Sequence, residues 1–233
     1  QHHHHHHHHH QQIAALVNAK TNSGATALFC ATGGNHVAAV AALIRGGADV
    51  DLLCSGAGCT ALHCAAANGS YDIASLLIQA GADLDLKSAN GGHTSLHNAI
   101  NGGHAAILDL LIQNGADLDA PNSAGNTPLH MASLRGNVGS VVKLLSAGAN
   151  PFLRNCKDWL PVHSAANAGY LDVVIRLVAI GSPWRRQAMG ESDVVRMLCR
   201  KSNYKVSYVE GRLRLAEKER FLVGWGGGGE RGG

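Results

Sequence analysis

A block of sequence that returns every 33 or 34 residues constrains this chain more than any other feature. In its fullest form it reads Thr60-Ala-Leu-His63, followed by an apolar run that ends in Gly81-Ala-Asp83. It returns at Thr94-Ser-Leu-His97 with Gly115-Ala-Asp117, and at Thr127-Pro-Leu-His130 with Gly148-Ala-Asn150. Weaker copies flank these, one from Thr26-Ala-Leu-Phe29 to Gly47-Ala-Asp49 and one from Leu160-Pro-Val-His163 to Gly181. A fixed period of this length means stacked supersecondary units, none able to bury its apolar face alone.

Within one period each recurring residue has a physical task. Thr60, Thr94 and Thr127 stand where a helix should begin, and a hydroxyl there can accept a bond from an orphan N–H of the first turn. Pro128 and Pro161 follow at the position where a missing N–H costs nothing, and Ala27, Ala61 and Ser95 replace proline in the other copies. Gly69, Gly103, Gly136 and Gly169, with Asn35 in the first copy, break that helix where the backbone must turn through the left-handed region. A second helix follows, with apolar residues at helical spacing such as Val37, Val40, Leu43 and Ile44, or Ala105, Leu108, Leu111 and Ile112. One extra residue between Asp51 and Ser55, and again between Asp85 and Ala89, lengthens the connecting finger and accounts for the 34-residue intervals.

At these residues the chain resembles the ankyrin repeat, from about Val17-Asn18-Ala19-Lys20, which reads as the end of an earlier repeat, to Gly181. The resemblance implies an all-α solenoid in which two antiparallel helices and a projecting β-turn finger make each unit, and whose concave side binds other proteins. The five repeats are placed near 21–54, 55–88, 89–121, 122–154 and 155–181, within a repeat domain over 13–181.

Composition agrees with a solenoid. Aromatic residues make up 4% of the 233 residues, so the core must be built from many small helix–helix contacts. No apolar run approaches the roughly 18 residues of a membrane span. Residues 1–12, a run of nine histidines between glutamines, read either as a purification tag or as a natural low-complexity tract, expected to be unfolded. The missing methionine and the glutamine flanks favour the natural tract. Charge divides the chain near residue 181, from a net of −2 before it to +5 after it. The tail, 182–233, carries all the glutamate, loses the repeat and ends in a glycine run, as a linker to an absent domain or a read-through of non-coding sequence would. It is expected to be mostly disordered, with a capping helix near 191–201 in which Val194, Met197 and Leu198 follow Asp193.

Histidines 63, 97, 130 and 163 form a ladder, but successive repeats stack roughly 8 to 10 Å apart, too far to share one metal ion. They are read as structural, bridging helix start and finger. The pairs Asp49/Asp51, Asp83/Asp85 and Asp117/Asp119 read as turn residues, since calcium wants about six to eight oxygens. Cys54, Cys59 and Cys64 lie at the edge of zinc spacing, yet His63 and Cys64 hold ordinary repeat positions, and no metal or cofactor is expected. Unpaired thiols, with Cys30, Cys156 and Cys199 completing the set, point to a reducing compartment, cytosol or nucleus. No phosphate-binding loop or nucleophile–base arrangement is present in the sequence, so no catalytic residue and no enzyme activity is expected.

A binding surface remains. By alignment to the repeat, the concave side is lined by fingertips such as Asn90-Gly91, Ser123-Ala124 and Cys156-Lys157, and by Gly33-Gly34, Ala67-Asn68, Asn101-Gly102, Leu134-Arg135 and Asn167-Ala168. Most are too small to anchor a partner. Leu134, Arg135, Lys157 and Trp159 are the exception and are expected to come together as the partner-binding residues, unless Trp159 merely covers its own finger. The expected function is a monomeric, non-catalytic protein-interaction module or adaptor. The alternatives are the regulatory or substrate-recruiting arm of a larger enzyme or channel and, ranked lower, nucleic-acid binding through the basic tail.

Overall fold

The computed structural model describes residues 15–54, 56, 58–179, 191–202 and 204–222, so the histidine tract at 1–12 and the tail segments 182–190 and 223–233 lie outside the described residues. The chain divides into two compact units, Gln1–Ala124 and Gly125–Gly233. The division falls within the finger of the fourth repeat.

In the first unit the helices come in pairs: α1 (Ala27–Gly33) with α2 (Val37–Arg45), α3 (Ala61–Asn68) with α4 (Tyr71–Gln79), and α5 (Ser95–Gly102) with α6 (Ala105–Gln113). The first helices stack as α1 on α3 on α5 and the second as α2 on α4 on α6, while each first helix also packs on its own partner. Helices of seven to nine residues are too short to persist alone, so packing sustains them. Leu62, Ala65 and Ala66 of α3 are fully buried against Ile73, Ala74 and Leu77 of α4. The next pair repeats the pattern with Leu96 and Ala99 against Leu108 and Leu111. Alanine on the first helix lets neighbouring backbones approach, and leucine or isoleucine on the second fills the remaining space.

Each first helix ends by the same device. At Gly69 the backbone turns through φ +78°, and Asn35 does so at φ +56° in the first repeat, where asparagine is the next-best residue for that region. A side chain on Gly69 would also meet the His104 ring, 2.6 Å from the position a Cβ would take. Here glycine is required twice over, by torsion and by space.

The second unit holds α7 (Pro128–Leu134) with α8 (Val138–Ser146) and α9 (Pro161–Ala168) with α10 (Leu171–Ala179), packed in the same way. The tail differs from the sequence expectation of one helix in otherwise disordered chain. Besides α11 (Glu191–Ser202), which packs on α9, there is a longer helix α12 (Val206–Leu222), which packs on α10 and α11. The tail therefore continues the stack by a further helical pair, first helix on first helix and second on second. Its apolar stripe is Val209, Leu213 and Ala216, all buried, as are Val194 and Leu198 of α11. The Thr-Pro-Leu-His signature is absent there and charges interleave with the stripe, which is why the periodicity did not announce it.

The register of the stack is testable on α6. Leu111 is fully buried whereas Gln113, two residues on, is exposed. Leu111→Ala should cost about 2 to 5 kcal/mol as a cavity, and Gln113→Ala should stay within about 0.5 kcal/mol. Urea melts measure both, and similar losses at the two positions would mean a different register.

Candidate functional site

The fingers are positioned by a hydrogen-bonded box at the start of the first helix in the second, third and fourth repeats. Thr60 Oγ1 accepts from the His63 N–H at 3.4 Å, and His63 Nδ1 lies 3.3 Å from the Thr60 N–H and 2.8 Å from Thr60 Oγ1. Nδ1 is thus the acceptor, which assigns the ring proton to Nε2, and Nε2 donates to the carbonyl of His93 in the next finger at 2.8 Å. Thr127 and His130 repeat the box, with His130 Nε2 donating to the Trp159 carbonyl at 2.8 Å. At the fifth repeat Leu160 replaces threonine, so the hydroxyl half of the box is missing and the Leu160 N–H still donates to His163 Nδ1 at 3.0 Å. The histidine ladder thus bridges helix start and finger at His63 and His130.

Burial is the main cause that holds the His63 imidazole below its ordinary range, partly opposed by its bond to the His93 carbonyl. Burial likewise lowers His130, again against a backbone bond, here to Trp159. A proton on Nδ1 would also face the N–H of Thr60 or Thr127.

The aspartates form a second ladder, running through the finger bases of the first unit. Asn18 Oδ1 accepts from the Asp49 N–H at 2.8 Å, Asp49 from Asp51 at 3.0 Å, and Asp51 from Asp83 at 3.0 Å. Asp83 then accepts from Asp85, Asp85 from Asp117 and Asp117 from Asp119, each at 2.9 Å. Each carboxylate is a turn-former within a repeat or a clamp between repeats, the role expected of turn residues. Burial raises Asp51 above its ordinary range, the bond from the Asp83 N–H opposes this, and the neighbouring charges of Asp83 and Asp49 add to the rise. Among the described residues no group of three or more His, Cys, Asp or Glu is placed to hold a metal ion.

In the second unit the finger at 154–159 is built around Asn155. Its Oδ1 accepts from the N–H of Lys157 at 2.9 Å and of Trp159 at 3.0 Å, and its own N–H donates to the Trp159 carbonyl at 3.0 Å. Asn155 Nδ2 reaches back to Asn126 Oδ1 at 2.7 Å, and Arg154 pairs with Asp158, which sits at φ +59°. On this braced loop Lys157 and Trp159 meet, the ammonium 5.4 Å from the ring centroid. Trp159 is half-buried, so the indole is neither wholly sunk into its own finger nor freely exposed.

Leu134 and Arg135 stand elsewhere on the same unit, at the C-terminal end of α7. Leu134 is 40% exposed and Arg135 is exposed. Leu134 lies one turn beyond His130, the backbone positions about 6 Å apart along the helix axis. Tyr170 joins them, 41% exposed, its ring 2.5 Å from where a Cβ on Gly136 would stand. Sequence reasoning overlooked Tyr170 and Asn155. The signal for Tyr170 was its place just after Gly169, the position that His104 fills after Gly103.

Two family models match the chain, one of ankyrin repeats in three copies over residues 3–88 and one of ankyrin repeats in many copies over residues 96–145. Neither reaches the repeat at 155–181, where the structure nevertheless has the same helical pair. No curated protein matches the chain.

The depressed histidines set the sign of a pH effect. The unfolded chain takes up the proton near about pH 6.5, before the folded one does. Stability is therefore complete above that pH and is lost as the pH falls below it. The urea midpoint should fall between about pH 7.5 and about pH 5, and His63→Ala, though less stable throughout, should show a shallower fall. Equal slopes would remove His63 from this role. With residues 1–12 deleted, EDTA should leave the helical circular-dichroism signal unchanged, because among the described residues no group of potential ligands is placed to hold a metal that the fold would need. A loss of helix on chelation would restore a site at Cys54, Cys59 and Cys64.

Proposed function

The chain belongs to the ankyrin repeat family, whose repeats are protein–protein interaction modules, and on that premise we propose that it is a non-catalytic adaptor that binds a partner protein through its fourth and fifth repeats. The observation that carries this reading is the finger at 154–159, which Asn155 braces so that Lys157 and Trp159 are presented together. A rigid anchor loses little entropy on binding, and tryptophan and arginine are the residues that dominate interface energies. Leu134, Arg135 and Tyr170 supply a second exposed group at the other end of α7. A partner that spans both would bury an aromatic at each end. The exposed positions of the first unit, Gly33, Gly34, Ala67, Asn68 and Gly102, offer shape with little to anchor.

Among the described residues no helix is long and apolar enough to cross a membrane. Six cysteines, none of them in a disulfide, support a reducing compartment, cytosol or nucleus, and the adaptor acts as a monomer.

The expected hierarchy can be measured by titration calorimetry against a partner recovered by affinity capture. Trp159→Ala and Arg135→Ala should each weaken binding by about 2 kcal/mol or more, and Asn68→Ala by less than about 0.5 kcal/mol. Each variant must first show the parent melting curve. Equal small effects at all three sites would move the interface elsewhere, with the exposed Tyr208, Arg212 and Leu215 of α12 and Tyr204 just before it the next surface to examine.

A further inference from the structure

The second finger holds a pair of thiols in a geometry that the protein-binding reading does not use. Cys54 and Cys59 face each other across an antiparallel bridge, with the Cys54 N–H donating to the Cys59 carbonyl at 2.9 Å. Residues opposed across a hydrogen-bonded antiparallel pair stand about 5.5 Å apart at Cα, inside the roughly 4.4 to 6.8 Å that a disulfide spans. Their side chains leave the bridge on the same face. The Gly58 N–H also donates to the Cys54 carbonyl, which draws the two ends of the loop together. The remaining cysteines lie on other elements, and of these Cys64 is near enough for the charges of Cys59 and Cys54 to act on its thiol. Cys64 points along α3, where its Sγ accepts from Asn68 Nδ2 at 3.6 Å, and Cys30, Cys156 and Cys199 lie further off in the sequence.

We propose that Cys54 and Cys59 are a disulfide-exchange site, at which a small disulfide such as oxidised glutathione converts the pair into a bridge that closes the second finger. Exposure sets the order of events. Cys54 is buried, with 5% of its surface accessible, while Cys59 is half-buried and meets the reagent first. The Cys59 thiolate attacks one sulfur of the glutathione disulfide, a mixed disulfide forms, and one glutathione thiolate leaves. Cys54 then gives its proton to solvent and attacks Cys59 Sγ, expelling the second glutathione thiolate. Two protein thiols are oxidised to one disulfide while one disulfide is reduced to two thiols.

Burial, with the neighbouring Cys54 adding to it, raises the Cys59 thiol above its ordinary range. Little thiolate is present at neutral pH, so the site is quiet at rest and reacts faster as pH rises. The bridge would also be felt beyond its own finger. The Gly58 carbonyl accepts from the Ala89 N–H at 2.7 Å, and a Cβ on Gly58 would stand 2.3 Å from that of Ala89, so the second and third fingers touch backbone to backbone. A transient disulfide that responds to redox state is the form such bonds take in reducing compartments.

The test is peptide mapping by mass spectrometry of the whole, folded chain after incubation with oxidised glutathione at mildly alkaline pH. The exposed Cys30 and Cys156 serve as the internal reference and should carry glutathione adducts. Cys54 and Cys59 should instead appear linked to each other, free of adduct. In Cys54→Ser the reaction should stop at a glutathione adduct on Cys59, and in Cys59→Ser residue 54 should stay unmodified, with circular dichroism confirming that both variants are folded. The wild-type map needs no variant, so a misfolded substitution does not protect the idea. A wild-type chain in which Cys59 carries glutathione to the same extent as Cys30 and Cys156 would overturn it, as would a Cys59–Cys64 link or an unreacted pair beside fully modified reference cysteines.

Discussion

The neutral imidazole at the start of the first helix is the contact on which the rest of the architecture depends. Its two nitrogens face in opposite directions, and each is committed. At His63 and His130, Nδ1 closes the N-terminus of its own helix through threonine, while Nε2 holds a carbonyl of the following finger. One side chain thereby fixes the helix start, the entry of the next finger and the spacing between them. No aliphatic residue can do this, since it lacks both a donor and an acceptor, and lysine or arginine would bring a charge that the buried site penalises. The same commitment explains why the ring must stay uncharged.

Packing then follows from the spacing the box sets. With helices of two turns, each element buries only a few side chains, from Val40 alone on α2 to six residues on α7, and none forms a core alone. Stability accumulates by neighbour contact, first helix on first helix and second on second, which suits a chain with few aromatic residues. The aspartate ladder adds clamps at the finger bases. A carboxylate that accepts a backbone N–H of the next repeat ties two units at one point without asking for a countercharge. The clustering of like charges has a cost, visible at Asp51, and the backbone bond from Asp83 offsets part of it.

The binding surface proposed above lies where this regular frame presents something large. The box at His130 grips the Trp159 backbone, and Asn155 grips it again from within the finger, so the indole and Lys157 are held on a loop with little freedom left. The regular positions of the repeat serve the fold, and the fingertips and helix ends are where residues differ from copy to copy. Variation confined to such positions lets one scaffold serve many partners. The second finger shows the same economy, with two cysteines where the frame asks only for a bridge between backbones.

The periodicity alone determined the helical pairs, their ends at Gly69 and Asn35, and the threonine–histidine starts. These are local or strictly periodic properties, so the residue type at a repeat position carries the physics with it. Contacts that join unlike positions of different repeats were decided by tertiary structure. Only packing shows that Tyr170 lies over Gly136, that Asn155 reaches Asn126, or that Cys54 faces Cys59, because a period says which residues occupy equivalent places without saying how far a side chain reaches from them. The last helical pair illustrates the limit most clearly. Its buried stripe of Val209, Leu213 and Ala216 is too weak a pattern among charges to declare itself, and it acquires meaning only against the apolar surface that α10 leaves open. Sequence determines a repeat by repetition, whereas the end of a stack, where repetition stops, is decided by what must be covered.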